Sequence, residues 1–448
     1  MTTLYEIIKT AQNKQGSKDK TAYLMANKDH ELLASYMKAT NDPTISYYIA
    51  EAPLPTKSGT MKFDLAVIDS IVDQLGNRKI TGNAARIWLG KIIDLLDPEG
   101  QELLTLMIKR QIGGGIGDTM ALKVYPGLYY LPPYSRCSLM SPEAKAKFDQ
   151  EEWFYCQTKM DGQYSSFLVT ETATLAYTRQ GNKYPQWIVD RISAGLVPGY
   201  AYMGELLVYL DGEMLSRKTG NGVLNSILAG EIETEEMMKY DFTLTAWNAV
   251  TTQEFIVSES KRDYEERFYE LENLILNAPR VKLVDSYVVK SLEDAYAIYK
   301  QHLLDGKEGC IIKRRAGKWK DNTSKDDIKL KMKFEIDMEI TGYYEGTGKY
   351  AGTLGGLSLR SAEGKVISNC GSGPTDKERD ELWALGDALI GRIAAIEIND
   401  IVSKEGTETF SLNLPIYIEL RTFEKKVADT LERIIEIREA AKSGTKLK

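Results

Sequence analysis

The tetrapeptide at residues 159–162 is the feature that most constrains what this chain can fold into. Lys159-Met160-Asp161-Gly162 lies between two stretches rich in β-forming residues, Trp153–Thr158 and Ser165–Thr170. Glycine lets the backbone turn tightly, so the pattern predicts a lysine held rigidly where one strand ends and another begins. Lys-x-Asp-Gly arises by chance in a chain of this length with a probability of roughly 0.1. Its meaning therefore depends on the residues that follow it.

The histidines and cysteines argue against several kinds of site. His30 and His302 are the only histidines in the sequence, so a catalytic triad or a histidine-rich metal centre would have to use one of them. His302 lies in a stretch with helical character and is expected to be an ordinary helix residue. The cysteines are widely spaced and form no Cys-x-x-Cys pair, which argues against a zinc ribbon or a disulfide framework. The chemistry must rest on Lys, Arg, Asp and Glu.

Length, hydropathy and charge predict a multidomain cytoplasmic protein without a membrane span. The 448 residues correspond to about three domains of ~150 residues. No run of about eighteen apolar residues occurs, and the first residues lack the features of a signal peptide. The net charge of −7 argues against indiscriminate coating of nucleic acid. Residues 307–333 nevertheless carry ten Lys/Arg against four Asp/Glu, which predicts a local basic patch for phosphate.

The hydrophobic pattern changes twice along the chain. Residues 1–131 show apolar positions at helical spacing and predict an α-helical domain. After the linker candidate Leu131-Pro132-Pro133, short aromatic and β-branched runs between helices predict an α+β domain over residues 132–335. Residues 336–448 combine short strands, glycine-rich turns and an inserted helix at Asp376–Leu385. This last pattern predicts a small β-barrel of the oligonucleotide-binding type, the OB-fold.

Charged residues follow Lys159 at suitable distances for a phosphate-handling site: Arg179, Glu205, Glu308, Lys313, Lys331 and Lys333. Each alone has an ordinary explanation, because charged side chains are mostly solvated and alternating lysines often protect an edge strand. Together they offer one nucleophilic lysine, two carboxylates for a divalent metal and several cations for a triphosphate, as nucleotidyl transfer requires. Nearby cations, a metal or desolvation would have to favour the neutral, nucleophilic form of the amine.

On these motifs the chain resembles the ATP-dependent DNA ligases, most closely those of T-even-type bacteriophages. The likeness extends over essentially the whole chain and includes the segment Ser216–Gly222. It implies that the α-phosphate of ATP is captured by Lys159 and that Mg²⁺ is bound by Glu205 and Glu308. It also implies a set of nucleotide-binding residues: Gln157, Asp161, Gly162, Tyr164, Arg179, Glu205, Lys313, Lys331, Lys333, Arg421 and Lys425.

Several positions depart from the family pattern. Tyr164 stands where the family usually has an arginine, which removes a cation expected near the nucleotide or the nick. Leu244 falls near the aromatic that would stack on adenine, so Phe242, Trp247 or neither takes that part. The terminal motif at Arg421–Lys425 is one residue longer than usual and contains a glutamate.

The resemblance implies an enzyme that seals nicks with a 5′-phosphate and a 3′-hydroxyl in duplex DNA, with ATP as AMP donor and Mg²⁺ as cofactor. Such an enzyme would work as a monomer that encircles the duplex. One alternative is an RNA ligase or another lysyl-nucleotidyl transferase, against which the helical residues 1–131 argue. The other is a non-catalytic nick-binding protein, which Tyr164 alone favours and the set of charged positions opposes.

Overall fold

The chain divides into two compact units. We analysed a computed structural model that describes residues 2–49, 51–230, 234–403, 407–422 and 427–443. One unit consists of residues 1–132 with 180–183, and the other of residues 133–179 with 184–448. The first unit is helical and the second contains the β-sheets, so the predicted sequence of a helical region followed by mixed α and β structure is confirmed.

The first unit is built from helices that local signals begin and end. In its described part the helices are α1 (Leu4–Asn13), α2 (Gly16–Ala26), α3 (Leu33–Asn41), α4 (Leu65–Ile71), α5 (Gly82–Leu95), α6 (Pro98–Ile108) and α7 (Asp118–Val124). Thr3 and Glu6 form a capping box at the start of α1, which satisfies backbone N–H groups that the helix itself leaves free. Gly113 to Gly115 all have positive φ and separate α6 from α7.

One apolar core holds this unit together. Ile8, Leu33, Leu89 and Met107 are fully buried in it, and each such side chain contributes about 1.5–3 kcal/mol relative to full exposure. Tyr36 is also fully buried, and its hydroxyl donates to the carbonyl oxygen of Leu103 at 3.1 Å. The core therefore accommodates a polar group without leaving it unsatisfied.

Strands dominate the second unit. Its described strands are β1 (Arg136–Ser138), β2 (Phe154–Thr158), β3 (Gln163–Val169), β4 (Thr174–Thr178), β5 (Tyr200–Leu210), β6 (Glu213–Met214), β7 (Tyr240–Thr251), β8 (Glu259–Ser260), β9 (Val281–Leu283), β10 (Ser286–Val289), β11 (Gly309–Lys313), β12 (Trp319–Lys320), β13 (Thr323–Lys331), β14 (Phe334–Glu345), β15 (Leu354–Arg360), β16 (Ile367–Cys370), β17 (Ile393–Ile398), β18 (Asp400–Ser403), β19 (Phe410–Asn413) and β20 (Ile416–Leu420). Its described helices are α8 (Pro142–Phe148), α9 (Gln186–Ser193), α10 (Arg217–Leu228), α11 (Thr234–Met237), α12 (Thr252–Ile256), α13 (Tyr264–Leu274), α14 (Leu292–Leu304), α15 (Asp376–Leu385) and α16 (Leu431–Ser443).

Residues 133–331 contain two large sheets and the two-stranded pair of β8 with β12. One has the strand order β1-β13-β11-β2-β10, and the other has the order β4-β3-β5-β7-β9, with β6 paired to β5. Most neighbouring strands are antiparallel, whereas β1 with β13 and β7 with β9 are parallel. The chain leaves the first sheet at the end of β2 and enters the second at the start of β3. Residues 159–162 form that crossing.

A third sheet, with the order β16-β15-β14-β17-β20, begins at Phe334 and has its own core. The helix predicted at Asp376–Leu385 is present as α15. The predicted barrel is not closed: in the described part of this region, an isolated bridge from Ser372 to Ile416 is what joins the two edges. Strand β16 ends at Cys370 and the chain turns at Gly373, which has a φ of 112°, so the described contact with β20 is a single bridge rather than a ladder. None of the described helices is long and apolar enough to cross a membrane.

Candidate active site

Lys159 lies where the chain passes from the first sheet to the second. Its backbone N–H donates to the carbonyl oxygen of Gly309 at 3.0 Å, which fixes the start of the turn against β11. At the end of the turn, a Cβ on Gly162 would lie 2.7 Å from Leu207 Cδ2 and 2.8 Å from the carbonyl oxygen of Leu206. Glycine is therefore required there for close packing. The Lys159 side chain remains 20% exposed, so its amine is held firmly and is still accessible.

Glu308 forms an ion pair with the Lys159 ammonium through its Oε2 atom. Strands β2 and β11 are neighbours, with Thr158 opposite Cys310, and this pairing brings two distant motifs together. Gly309 has a φ of 138°, and a Cβ on it would lie 2.3 Å from the carbonyl oxygen of Leu330. The glycine after the acid is thus imposed by the sheet, and it sets Glu308 at the strand start.

Asp161 and Arg217 complete the charged group around the amine. Nη1 of Arg217 lies 3.3 Å from Asp161 Oδ1 and 3.9 Å from Glu308 Oε1. Burial and the neighbouring Glu308 raise the pKa of Asp161, and the Arg217 guanidinium opposes that shift. Arg217 is not among the site residues predicted from the sequence. Its membership of the segment Ser216–Gly222 was the available signal.

Glu205 extends the group from the second sheet. It lies on β5 directly opposite Tyr164 of β3. Burial raises the pKa of Glu205 to about 8, with opposition from the nearby Lys159 and Arg217 charges. Its Oε2 atom is buried and has no hydrogen-bond partner among the residues that the structure describes.

An orphaned, buried carboxylate oxygen fits a divalent cation, because Mg²⁺ prefers oxygen ligands. Glu205 and Glu308 are therefore suitable metal-binding residues. The described residues contain no group of three or more acidic, histidine or cysteine side chains able to hold an ion. Mg²⁺ commonly completes its coordination with water and substrate phosphate oxygens, so two protein carboxylates suit a cation that arrives with a nucleotide.

The raised pKa of Glu205 predicts that the metal-free protein loses stability as pH rises. The unfolded chain releases this proton near pH 4.5, whereas the folded protein keeps it until about pH 8. Between those values the folded state binds the extra proton, so the free energy of unfolding falls by up to about 1.4 kcal/mol per pH unit. Urea unfolding in chelator between pH 5 and 8 measures this slope. Glu205→Gln should show a flatter slope than the wild type, and parallel curves would contradict the assignment.

Three lysines predicted to contact phosphates differ in their surroundings. Lys331 pairs with Gly309 in the β11–β13 ladder, and burial together with nearby Lys329 lowers its pKa. Lys313 is buried, with its Nζ atom 3.4 Å from Asp327 Oδ2. Lys333 forms an ion pair with Glu397 of the third sheet.

Tyr164 occupies a buried aromatic cluster and leaves no open gap where the family's arginine would lie. The tyrosine is 8% exposed. Its ring centroid lies 4.4 Å from that of Tyr134 and 6.1 Å from that of Trp247. The predicted nucleotide contact Arg179 stacks over Tyr134, with its guanidinium carbon 5.0 Å from the ring centroid. Phe242 is fully buried in the core, which leaves the half-buried Trp247 as the better candidate for adenine stacking.

Restoring an arginine at position 164 should therefore destabilise the protein. Tyr164→Arg replaces a packed ring by a charge that must be desolvated, and we expect a loss of at least about 2 kcal/mol. Tyr164→Phe keeps the ring and should lose only about 1 kcal/mol or less. Denaturant unfolding of both variants measures the difference. An arginine variant as stable as the wild type would mean that the cluster accepts a cation.

Gln157 and Arg421, two further predicted nucleotide contacts, have polar partners that do not belong to the charged group. Gln157 is 1% exposed and donates from Nε2 to Ser286 Oγ at 2.8 Å. Arg421 forms ion pairs with acids of the third sheet: Glu335, Asp337 at 2.8 Å and Glu419 at 2.5 Å. Burial acts to lower the pKa of Arg421, but Asp337 and Glu335 together raise it. Lys425 lies outside the described residues.

The basic segment at residues 307–333 does not form the open positive surface that its composition predicts. Most of its cations pair with acids: Lys307 with Asp285, Lys313 with Asp327, Arg314 with Glu151, Arg315 with Glu265, Lys318 with Asp263, Lys320 with Glu259, Lys325 with Glu143 and Lys333 with Glu397. Composition along one segment cannot reveal acids that folding brings from other segments. The expectation of a phosphate-binding patch is therefore weakened.

The known proteins that this chain resembles are DNA ligases. The family model for the ATP dependent DNA ligase domain matches residues 137–333. The DNA ligases of Enterobacteria phages T4 and T6 are each 29% identical to this chain over an alignment of 470 residues, covering 93% of this chain and 95% of each relative. A solved structure named Pmar-Lig_PreS3 shares the fold, with a TM-score of 0.73 and 17% identity over 94% of this chain and 99% of that chain. The chain therefore carries an ATP-dependent DNA ligase domain and is similar over most of its length to phage DNA ligases, which indicates a ligase enzyme.

Proposed function

We propose that this ligase seals 5′-phosphate/3′-hydroxyl nicks in duplex DNA through AMP bound covalently to Lys159. The observation that carries the proposal is the ion pair between Lys159 and Glu308, with Asp161 and Arg217 beside it. A lysine in such a group is held in one orientation beside a carboxylate that can accept its proton. This suits a nucleophile that must lose a proton before it attacks.

The first step joins Lys159 to the nucleotide. The neutral Nζ atom attacks the α-phosphorus of ATP, a phosphorus–nitrogen bond forms, and the bond to the β-phosphate oxygen breaks. Pyrophosphate leaves with the electron pair of that bond. Oε2 of Glu308 is the paired atom that would take the ammonium proton before attack.

The next two steps transfer and release AMP. An oxygen of the nick 5′-phosphate attacks the AMP phosphorus, the phosphorus–nitrogen bond breaks, and Nζ regains a proton. The 3′-hydroxyl then loses its proton and attacks the 5′-phosphorus, which forms the phosphodiester and expels AMP. Covalent catalysis thus divides one difficult condensation into steps that each have a good leaving group.

Glu205 and Glu308 would hold Mg²⁺, which when bound offsets negative charge on the phosphates. The charges of Glu308 and Lys159 act on Lys331, which supports a role for Lys331 at the triphosphate. The family resemblance supports further nucleotide contacts by other residues: Gln157, Asp161, Gly162, Tyr164, Arg179, Lys313, Lys333, Arg421 and Lys425.

We assign duplex binding to residues 1–131, adenylation to residues 132–335 and an OB-type domain to residues 336–448. The five-stranded order of the third sheet with its inserted helix supports the last assignment. A nick occurs in any sequence, so the duplex would be held mainly through its phosphates. The protein would act as a monomer that encircles DNA, in the cytoplasm where ATP and the duplex are available.

The test follows AMP by means of ATP that is labelled on its α-phosphate. The protein is incubated with this ATP, Mg²⁺ and a duplex that carries one 5′-phosphate nick, and protein-bound and DNA-bound AMP are separated under denaturing conditions. We expect label on the protein, then on DNA, and then as free AMP while the nick closes. A 5′-hydroxyl nick should leave the label on the protein. Labelling by GTP instead of ATP, or sealing of RNA strands alone, would refute the proposal.

A further inference from the structure

Arg217 joins the acidic group around Lys159 from a different element. It is the first residue of α10, immediately after Ser216, whose Oγ accepts from the Thr219 N–H at 3.4 Å. Its Nη1 atom contacts Asp161 and Glu308, the carboxylate that also pairs with Lys159. The residue is therefore linked to the nucleophile through one shared carboxylate, that of Glu308.

Charge balance gives Arg217 a role that Lys159 cannot fill. Lys159 carries no positive charge once it is deprotonated for attack or joined to AMP. A guanidinium stays protonated at any physiological pH. Asp161, Glu205 and Glu308 surround the amine, and a terminal phosphate brings about two more negative charges. Arg217 thus keeps a positive charge beside these acids after Lys159 has lost its own, which is the state in which AMP transfer to DNA begins.

Exposure indicates which substrate Arg217 meets. Its side chain is 58% exposed, compared with 20% for Lys159 and 27% for Glu308, so it forms the outer side of the charged group. A duplex must approach from solvent and meets that side first. Position 164 supplies no cation there, since Tyr164 is packed against Tyr134.

We infer that Arg217 binds the 5′-phosphate of the nick while AMP passes from Lys159 to DNA. This inference rests on the proposed function. The guanidinium gives up its contact with Asp161 and donates two parallel N–H hydrogen bonds to phosphate oxygens, a geometry that matches phosphate well. An oxygen of that phosphate attacks the AMP phosphorus, the electron pair of the broken phosphorus–nitrogen bond returns to Nζ, and Nζ takes up a proton. Arg217 orients the attacking phosphate and exchanges no proton.

The experiment separates adenylation from transfer. Wild-type protein and Arg217→Ala are first adenylated with labelled ATP, and unbound nucleotide is removed. Each adenylated protein is then mixed with excess nicked duplex, so that a single turnover is followed. We expect adduct formation by the variant within about threefold of wild type, and transfer to DNA slower by about 100-fold. Arg217→Lys should recover part of the transfer rate, because it restores charge without the two-pronged donor.

Two controls identify the cause of any loss. Lys218→Ala removes the neighbouring exposed cation of α10 and should transfer AMP at the wild-type rate. Compared with the wild type, the adenylated Arg217→Ala protein should bind a 5′-phosphate nick more weakly and a 5′-hydroxyl nick equally well. Thermal unfolding of each variant checks that the fold is intact.

The outcomes separate a wrong role for Arg217 from a wrong proposed function. Unimpaired transfer by Arg217→Ala, with a normal wild-type adduct, would overturn the assignment of Arg217 alone. An equal loss of adenylation and transfer would also overturn it, since Arg217 would then contribute to ATP binding or to the stability of the fold. A wild-type protein that forms no adduct would overturn the proposed function and this inference together.

Discussion

Lys159→Ala is expected to form no protein-bound AMP and to lose nick sealing by at least about 10⁴-fold, the scale of losing a covalent nucleophile. The loss should be chemical, because the Lys159 side chain is partly exposed and belongs to none of the buried apolar clusters. The hydrogen bond from residue 159 to Gly309 uses the backbone N–H and survives the substitution. Labelled ATP and denaturing electrophoresis measure the adduct.

A matched control and a second substrate sharpen this test. Lys145→Ala removes an exposed lysine of α8 that pairs with Asp149 at 2.6 Å, and it should form the adduct normally. Lys159→Ala should still close a nick supplied with AMP already on its 5′-phosphate, because the last step does not use the amine. An AMP adduct on the Lys159→Ala protein would refute the assignment of the nucleophile.

Glu308→Gln should slow adduct formation by about 10²–10³-fold, the effect typical of removing a preorganised charged group at a reacting centre. The substitution keeps the size of the side chain but removes its charge. Lys159 then loses its ion-pair partner, and the proposed metal site loses one of its two carboxylates. The rate of label incorporation is measured over a range of Mg²⁺ concentrations, and higher Mg²⁺ should restore part of the loss.

Asp305→Asn provides the control for Glu308→Gln. Asp305 lies three residues earlier, outside the charged group, and accepts a hydrogen bond from Gln301. It should leave adduct formation unchanged. If Glu308→Gln reacted at the wild-type rate, the contact with Lys159 would have the small weight of an ordinary solvated ion pair, and the proton transfer proposed for Glu308 would be wrong.

Local elements were predictable because their causes are local. The inserted helix was predicted at Asp376–Leu385 and found at those residues, since Thr375 and Glu378 form a capping box that lies within a few positions of sequence. The strand before Lys159 was predicted to end at Thr158, and β2 does so. Closure of the third sheet was not predictable, because it depends on how a turn at Gly373 meets a strand more than forty positions away.

The active site was predictable as a set of residue types and only in part as a set of neighbours. Glu308 was expected near Lys159 and contacts it. Arg421 was expected at the nucleotide; it forms ion pairs with Glu335, Asp337 and Glu419, and its nucleotide contact stays a prediction. Arg217 was not assigned and proves to bridge two of the acids. Ion pairs form over a few ångströms, and distance along the chain says little about them.

The amino-acid sequence alone determined which residue types this chain offers: a lysine beside a glycine turn, followed by two acids and several cations. These types are the ones that nucleotidyl chemistry requires. The tertiary structure decided which charges meet. The pairing of β2 with β11 joined Lys159 to Glu308, the start of α10 added Arg217, and acids from elsewhere neutralised much of the basic segment. Electrostatic interactions depend on separation and burial in three dimensions, and those quantities exist only after the strands have paired.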